Sequence, residues 1–282
     1  CINGQLLLTL LTEKIVESCK IEPTIIFENT DGCMIKIHKS DIDKVKEACK
    51  HVETICNIPL EAQLCEKIII RDVNNYQNII NSDNIKFKGV FEIDRDYHKN
   101  HSKRIVSLSL ANYFINNIEP IDTITNYLTN NSIDIIKEWD YDNNKPIFYE
   151  HHGIYDFCLG AKMKGSNELI SREWIDNTIN EKELSKMTRY YVSNKGVDLI
   201  KRLPPLEKNF LTETDKFKLK TRTEQVNIFD FIEDVKVEPI DREENLEAGH
   251  KCTVFNHYIN DNYDLNYDYY INECNKIMNI LK

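Results

Sequence analysis

The spacing of apolar residues predicts two helices near the start of the chain. Apolar side chains recur with helical period over residues 2–20, and Pro23 follows as a stop signal. Residues 41–56 repeat that pattern, with Ser40 placed to cap the helix. We therefore expect two amphipathic helices separated by about twenty residues of other structure.

Strand-like runs lie between and after these helices. Residues 24–28 and 33–38 flank Asn29-Thr30-Asp31-Gly32, which is typical of a hairpin turn. Residues 67–70 and 84–92 also have strand character, and the stretch 78–84 between them is rich in turn residues. The first part of the chain is therefore predicted to be α+β.

The pattern changes near residue 97. From residue 98 onward the segments have helical character, for example 102–116, 121–128 and 267–281. A small hairpin is predicted from 189–192 and 197–200. We divide the chain into an α+β part, 1–97, and a mainly helical part, 98–282.

Composition limits the possible classes of protein. The 282 residues are 41% hydrophobic, which suits a folded core, and the net charge of −10 does not favour bulk attraction to nucleic acid. However, residues 186–222 contain ten Lys/Arg against four Asp/Glu, and residues 86–104 are also basic. Local phosphate binding therefore stays possible, although solvated surface is an equally ordinary explanation.

Cysteines and termini add context. The nine cysteines form no CxxC pair, which favours free thiols in a reducing compartment. No apolar run approaches the roughly 20 residues of a membrane span, so no membrane partner is expected.

Helix-like sequence starts at Cys1, so we expect a piece of a longer protein. Abundant Asn and Ile are typical of an AT-rich genome.

Some residues have structural interpretations. His151 and His152 are adjacent and cannot face one site on a strand or helix, so a surface turn is expected. Trp139 and Trp174 stand in sequence with helical character, which predicts core anchors.

Candidate chemistry centres on residues 25–37. A carboxylate at the tip of a tight hairpin is rigid and exposed, as Mg²⁺ coordination requires. On spacing alone this signal is weak, because an Asx turn with Asn29, Asp31 and Gly32 is common in hairpins and is the more ordinary explanation. These residues resemble motif C of family B DNA polymerases: Asn29, Thr30, Asp31 and Gly32 occupy its four positions. The resemblance implies that Asp31 is catalytic and binds both metal ions, while Asn29 replaces an aspartate and Gly32 a serine.

Other segments follow in the order of that family. Residues 68–76 lie where the family has a primer-contacting KxY motif; Tyr76 matches its tyrosine, and Asn74 replaces its lysine. Residues 85–96 are similar to the end of the palm, where Lys88, Gly89, Arg95 and Asp96 match. Lys86 adds positive charge on the same strand face. Residues 265–281 resemble a late thumb helix with a Tyr-Tyr pair.

The resemblance implies a phage-type, DNA-directed DNA polymerase acting in the host cytoplasm. Residues 1–97 would be the C-terminal part of the palm and 98–282 a mainly helical thumb. The implied partners are primer–template DNA, dNTPs, two Mg²⁺ ions and the N-terminal remainder of the same polymerase, without which this fragment would be inactive. The candidates for duplex contact are all in the basic stretch: Lys186, Arg189, Lys195, Lys201 and Arg202.

Two alternatives stay open. Asn29 and Asn74 replace charged residues of the family pattern, which would suit a non-catalytic, nucleic-acid-binding remnant. A reverse transcriptase is a weaker alternative, because its hairpin usually carries adjacent aspartates that residues 29–32 lack.

Overall fold

The computed structural model describes residues 2–29, 32–81, 84–93, 102–130, 134–140, 142–204, 242–256 and 263–281. Within these residues the chain forms helices and small antiparallel sheets, which confirms the predicted α+β class. It divides into two compact units. Unit 1 comprises Cys1–Asp94, Leu110–Ile118 and Cys274–Lys282, and unit 2 comprises Arg95–Ser109 and Glu119–Glu273.

Unit 1 begins with the predicted helix, hairpin and helix. Their bounds are α1 Ile2–Ser18, β1 Thr24–Glu28, β2 Cys33–Lys36 and α2 Ile42–Cys56. The helices pack through a buried cluster formed by Leu11, Ile15, Ala48 and Val52. Cys33 and Ile35 of β2 pack against that cluster, so the hairpin is held by the same apolar contacts as the helices.

A three-stranded antiparallel sheet follows. It contains β3 Lys67–Asp72, β4 Asn75–Asn81 and β5 Asn84–Lys88, in that order. The expected turn over 78–84 is wrong for 78–81, which belong to β4. Its Asn and Gln residues have low strand propensity, but pairing on both sides supplies the ladder that they could not specify alone.

Three helices after residue 101 match their predictions. They are α3 Arg104–Asn116, α4 Pro120–Asn130 and α5 Tyr267–Ile280. Tyr270 of α5 is fully buried, donates to the Phe157 carbonyl at 2.9 Å and accepts the Val192 amide at 3.0 Å. Its ring meets Phe157 edge-on at 5.2 Å, which places both aromatic residues in the core of unit 2.

The prediction of a mainly helical second part is wrong for the described residues. Nine strands lie there: β6 Asp134–Asp140, β7 Lys145–His151, β8 Leu159–Lys162, β9 Glu168–Ile175, β10 Thr178–Leu184, β11 Met187–Ser193, β12 Asp198–Leu203, β13 Arg242–Asn245 and β14 Lys251–Val254. They form a β6–β7 hairpin, a β14–β11–β8 sheet and a β10–β9–β12–β13 sheet.

Alternation and turn chemistry explain these strands. In β8, Leu159 and Ala161 are buried while Gly160 and Lys162 are exposed, which is a period of two. Between β9 and β10, Asp176 and Asn177 have φ of 46° and 64°, as a two-residue type I′ hairpin requires. The Asp-Asn pair was the local signal for a hairpin at this point.

The predicted hairpin of 189–192 and 197–200 is also wrong. Both segments are strands, but β11 pairs with β8 and β14, whereas β12 pairs with β9 and β13. At the connection, the amide of Val197 donates to the Cys252 carbonyl at 2.9 Å, and the Cys252 amide donates to the Val197 carbonyl at 2.9 Å. The chain therefore moves from one sheet to the next between them.

Candidate functional site

The turn between β1 and β2 is closed by Asn29. The Asn29 amide donates to the Gly32 carbonyl at 3.0 Å, and the Gly32 amide donates to Asn29 Oδ1 at 2.9 Å. A Cβ added at Gly32 would meet nothing within 4 Å. Thr30 and Asp31 lie outside the described residues, so the predicted metal ligand has no described geometry. The hairpin around Asp31 nevertheless forms over the predicted residues.

The described side chains on either side of Asp31 form hydrogen bonds within unit 1. The side-chain oxygen of Asn29 accepts the Gly32 amide, and Glu28 Oε1 accepts a hydrogen bond from Thr12 Oγ1 at 2.5 Å. Across the part of the chain that is described, no group of three or more His, Cys, Asp or Glu side chains could hold a metal ion.

The hairpin contacts the strand that carries Tyr76. The rings of Phe27, in β1, and Tyr76, in β4, lie 5.8 Å apart. Strand pairing places Lys88 opposite Tyr76, and Lys88 Nζ lies 5.7 Å from the centre of that ring. Phe27 is two residues from Asn29, so the turn, Tyr76 and Lys88 belong to one local surface of unit 1.

Lys86 extends this surface. Residues two apart on a strand share a face, so Lys86 and Lys88 point the same way. Both side chains are exposed, and Lys86 Nζ donates to Gln63 Oε1 at 2.8 Å. We call Tyr76, Lys86 and Lys88 the basic face of β4–β5. Its two cations contact an amide oxygen and an aromatic ring, and neither contact cancels positive charge.

Asn74 lies in the turn before β4. Its amide donates to Asp72 Oδ1 at 2.9 Å, and Asn75 Nδ2 donates to both oxygens of the same carboxylate. These bonds, first of all the one from Asn75, lower the pKa of Asp72. Asn74 therefore belongs to an Asx-type turn, and its side chain is exposed beside the basic face.

Gly89 fixes the end of β5 against this turn. Its φ is +63°, and an added Cβ would lie 2.2 Å from Asn75 Oδ1. That oxygen also accepts the Val90 amide at 2.9 Å. The backbone conformation and the close approach of Asn75 therefore explain why glycine follows Lys88 in the sequence, because only glycine fits at this position.

Two cations of the basic stretch form salt bridges on opposite faces of β12. Arg202 Nη2 contacts Glu181 at 3.0 Å and Glu243 at 2.9 Å, and Arg172 completes this network. Lys201 Nζ contacts Glu244 at 2.8 Å. Because consecutive strand residues point to opposite faces, Lys201 and Arg202 cannot serve one flat ligand together.

The other three predicted DNA contacts are distributed around β11. Lys186 Nζ donates to the Gly165 carbonyl at 2.7 Å, and the Arg189 guanidinium lies 5.0 Å from the centre of the Tyr155 ring. Lys195 is exposed in the turn after β11, where its amide donates to Asp264 Oδ2 at 2.6 Å. Nothing described gathers these three side chains into one patch.

A buried carboxylate in unit 2 was missed by the sequence analysis. Asp156 is 1% exposed and accepts hydrogen bonds from His151 Nε2 at 3.0 Å, Tyr127 Oη at 2.6 Å and Arg104 Nη1 at 3.0 Å. Burial opposes ionisation, but the bond from His151 and the nearby positive charge lower the pKa of Asp156. The expected surface turn at His151 is wrong, because that side chain is 8% exposed.

Both tryptophans are also placed differently from their predictions. Trp139 is 45% exposed on β6, and Trp174 is 60% exposed on β9. Each lies on a strand of an antiparallel hairpin. The interpretation of both as core anchors is wrong.

Comparisons with known proteins add no relative. No protein-family model, no curated protein and no solved structure matches this chain. Among the described helices, none is both long and apolar enough to cross a membrane.

Proposed function

We propose that this chain is the C-terminal palm and thumb region of a phage-type family B-like DNA polymerase. In that role residues 1–97 contribute Asp31 to a two-Mg²⁺ site and contact the primer strand, while residues 98–282 bind the product duplex. The reaction is template-dependent addition of dNTPs to a primer 3′-hydroxyl. It also needs carboxylates and a nucleotide-binding lysine that we assign to the N-terminal remainder of the same polymerase.

One observation carries the proposal: the contact between Phe27 and Tyr76. It brings the turn of the β1–β2 hairpin next to a face with Tyr76 and two lysines. A carboxylate turn beside a cationic strand face is what joint binding of metal and a primer phosphate demands. The sequence order of the matching segments supports the same assignment.

The test of catalysis is primer extension by the polymerase that contains this region. We expect Asp31→Asn to abolish Mg²⁺-dependent incorporation while DNA affinity stays within about twofold, because the substituted group holds metal rather than phosphate. Asp43→Asn, an exposed helix carboxylate of unit 1, is the matched control and should retain full activity. Undiminished extension by Asp31→Asn would contradict the proposal.

The test of primer contact is the salt dependence of binding to primer–template DNA. Replacing Lys86 and Lys88 by Ala should reduce the slope of log K against log salt by about 0.9 for each phosphate that the protein no longer neutralises. Lys201→Ala is the control, because Glu244 already neutralises that cation. An equal slope change in the control would remove the basic face from the proposal.

A non-catalytic remnant of a polymerase is the second candidate. The observation that favours it is the hydrogen bond from the Gly32 amide to Asn29 Oδ1, which gives position 29 a role in the turn. This alternative predicts salt-dependent binding of primer–template DNA without any Mg²⁺-dependent incorporation by the full protein.

A further inference from the structure

Strand β8 presents lysines on its exposed face. It is the last strand of the β14–β11–β8 sheet. Burial alternates from Leu159 to Lys164, so that Gly160, Lys162 and Lys164 are exposed while the residues between them are buried. Residues two apart on a strand share a face, and their backbone positions are about 6.6 Å apart. Lys162 and Lys164 therefore form a short row of positive charge along the strand.

Two cations from β11 and the residue before it join this row. Strand pairing places Arg189 opposite Gly160, on the same face as Lys162. Lys186 Nζ donates to the Gly165 carbonyl at 2.7 Å, which brings its ammonium group beside the turn that follows Lys164. We call Lys162, Lys164, Lys186 and Arg189 the cationic edge of β8. The sequence analysis missed the first two, because they lie outside the basic stretch 186–222.

The cationic edge has no carboxylate in its own segments. Residues 159–167 and 185–193 contain four Lys or Arg and no Asp or Glu. Within the residues that the structure describes, no ion pair joins Lys162, Lys164 or Lys186 to a carboxylate. This distinguishes the three lysines from Lys201, which Glu244 neutralises. Their positive charge is therefore open to an external anion.

The carboxylates that come next along the chain are directed elsewhere. Glu168 on β9 pairs with Arg202, and the strand register puts Glu183 of β10 on that same face of the other sheet. Asp156, before β8, is 1% exposed. Asp264 accepts an amide of the turn at the far end of β11. These four carboxylates therefore do not share the exposed face of β8.

The backbone of the edge strand adds hydrogen-bond donors. The Met163 amide donates to the Lys186 carbonyl at 2.8 Å, in the direction of β11. Successive amides of a strand point to opposite sides, so the amides of Lys162 and Lys164 point away from β11. Lysine side chains and backbone amides are both groups by which proteins contact phosphate oxygens.

The side chains around the lysines favour contact with a duplex backbone. Met187, which pairs with Lys162, is 62% exposed, whereas Tyr190 and Tyr191 of β11 are buried. Strand β8 has no aromatic residue. Sites for single-stranded nucleic acid combine cations with exposed rings on which bases stack. A row of lysines without such rings fits a ligand that presents phosphates outward and keeps its bases inside, as a duplex does.

We propose that the cationic edge of β8 binds the sugar–phosphate backbone of duplex DNA. Lys162 and Lys164 contact neighbouring phosphates of one strand, and Lys186 contacts a phosphate beside the turn. This assignment rests on the proposed function, which gives the product duplex to residues 98–282, and it places that contact on β8 rather than on the ion-paired cations of β12. The contact reads no base and needs neither metal nor primer terminus.

The salt dependence of binding to a blunt DNA duplex tests the proposal. With Lys162→Gln and Lys164→Gln together, the slope of log K against log salt should fall by about 1.8, about 0.9 for each phosphate that is no longer neutralised. The affinity at 0.1 M salt should fall by more than about tenfold. An unchanged slope in this double variant would overturn the proposal.

A matched double variant controls for net charge. Lys201→Gln with Lys251→Gln also removes two lysines from unit 2, but both are already ion-paired, so the slope should stay at the parent value. Equal losses in the two double variants would overturn the assignment to β8. The loss caused by Lys162→Gln and Lys164→Gln should persist in a chain that lacks the lysines of the basic face of β4–β5.

Lysine acetylation of the unsubstituted chain gives a readout that does not depend on the folding of a variant. The blunt duplex should protect Lys162, Lys164 and Lys186 from acetylation, whereas the exposed Lys50 of α2 should react at the same rate with and without DNA. Protection of Lys50 without protection of the three lysines would contradict the proposal.

Further arms identify the occupant. An oligothymidylate of equal length and vesicles that contain phosphatidylserine should protect the three lysines less than the duplex does. Stronger protection by either ligand would overturn the commitment to duplex DNA. Lysines on an edge strand also hinder association between strands. If light scattering shows that Lys162→Gln with Lys164→Gln forms dimers while its duplex affinity is unchanged, the lysines shield the edge and the proposal fails.

Failure here is distinguishable from failure of the proposed function. Loss of incorporation in Asp31→Asn, together with unchanged duplex affinity in Lys162→Gln with Lys164→Gln, would leave the polymerase assignment and remove the cationic edge from it. Binding of duplex through the cationic edge by a protein that incorporates no dNTP would support the edge and contradict the polymerase assignment.

Discussion

The two units differ in how their charged side chains are paired. In unit 1, ion pairs between described residues join sequence neighbours: Lys14–Glu17, Lys44–Asp41, Lys46–Asp43 and Arg71–Asp72. In unit 2, several pairs join residues far apart in the chain: Lys103–Glu273, Arg104–Asp156, Arg172–Glu243, Arg202–Glu181, Lys201–Glu244 and Lys251–Asp198. Charge pairing therefore contributes to tertiary structure mainly in unit 2.

Because of this difference, the two basic stretches do not offer the same amount of unneutralised positive charge. Residues 186–222 hold the larger excess of Lys and Arg, yet Arg202 and Lys201 are neutralised by glutamates of neighbouring strands. The smaller basic stretch provides Lys86 and Lys88, whose described contacts are an amide oxygen and a ring. Lys86 and Lys88 therefore keep positive charge that adjacent carboxylates neutralise at Lys201 and Arg202.

The largest expected effect is the loss of Asp156. Asp156→Ala leaves Arg104 and His151 without their buried partner and should lower the free energy of unfolding by about 3–5 kcal/mol. Asp198→Asn removes a partly exposed pair with Lys251 and should cost less than about 1 kcal/mol. Urea denaturation of both variants measures the difference. Similar losses would show that burial does not distinguish these pairs.

The second largest loss of stability is expected from a substitution that strains the backbone of unit 1. Gly89→Ala forces a side chain into left-handed backbone and against Asn75, and should cost about 1–3 kcal/mol. Gly32→Ala is the control, because open space surrounds that position. Denaturant midpoints decide the matter, and equal midpoints would contradict a requirement for glycine at position 89.

Acid should destabilise unit 2 through two of its carboxylates. In the folded state, burial opposes ionisation of Asp156, but the hydrogen bond from His151 lowers its pKa. The pKa of Glu243 is lowered chiefly by the hydrogen bond from Arg202. A lowered folded-state pKa adds stability above the unfolded value, and that stability is lost as pH falls through the folded value. Unfolding free energy should therefore fall from about pH 5 to about pH 3.

The variant Asp156→Asn sharpens this test. Its amide does not titrate, so the decline in unfolding free energy with falling pH should be shallower than in the parent. Denaturant titrations over that pH range provide the measurement. Parallel curves for variant and parent would exclude Asp156 as a source of the acid sensitivity.

The smallest effect is expected at a local pair. Glu17→Gln removes an exposed i,i+3 contact with Lys14 and should change stability by less than about 0.5 kcal/mol. A loss comparable to that of Asp156→Ala, measured in the same urea experiment, would erase the contrast between the units.

The sequence predicted those helices and turns whose structure is determined by neighbouring residues. The helices α1 and α2 and the β1–β2 hairpin follow from helical period and from the Asn-Thr-Asp-Gly turn. Strand β4 could not be predicted from propensity, because Asn75, Gln77 and Asn78 gain their structure from ladders on both sides.

The structure of unit 2 depends on contacts between residues that are far apart in the sequence, and no short stretch of sequence predicts these contacts. The segments 189–192 and 197–200 were recognised as strands, but their partners lie as far away as β8 and β14. The cluster at Asp156 joins residues 104, 127, 151 and 156, whose spacing has no regular period. Of the candidate site, the hairpin was predicted from the sequence, whereas the pairing of Tyr76 with Lys88 and the neutralisation of Arg202 were not.

The pairing of β12 with β13 has a consequence for chain length. Leu203 pairs with Arg242, and Arg202 contacts Glu243 beside it, so the residues that flank 204–241 are adjacent in the sheet. Doubling the length of a segment with fixed, adjacent ends costs only about 0.6 kcal/mol in loop entropy. We therefore expect that a segment inserted between these two strands would leave the pairing of β12 with β13 intact.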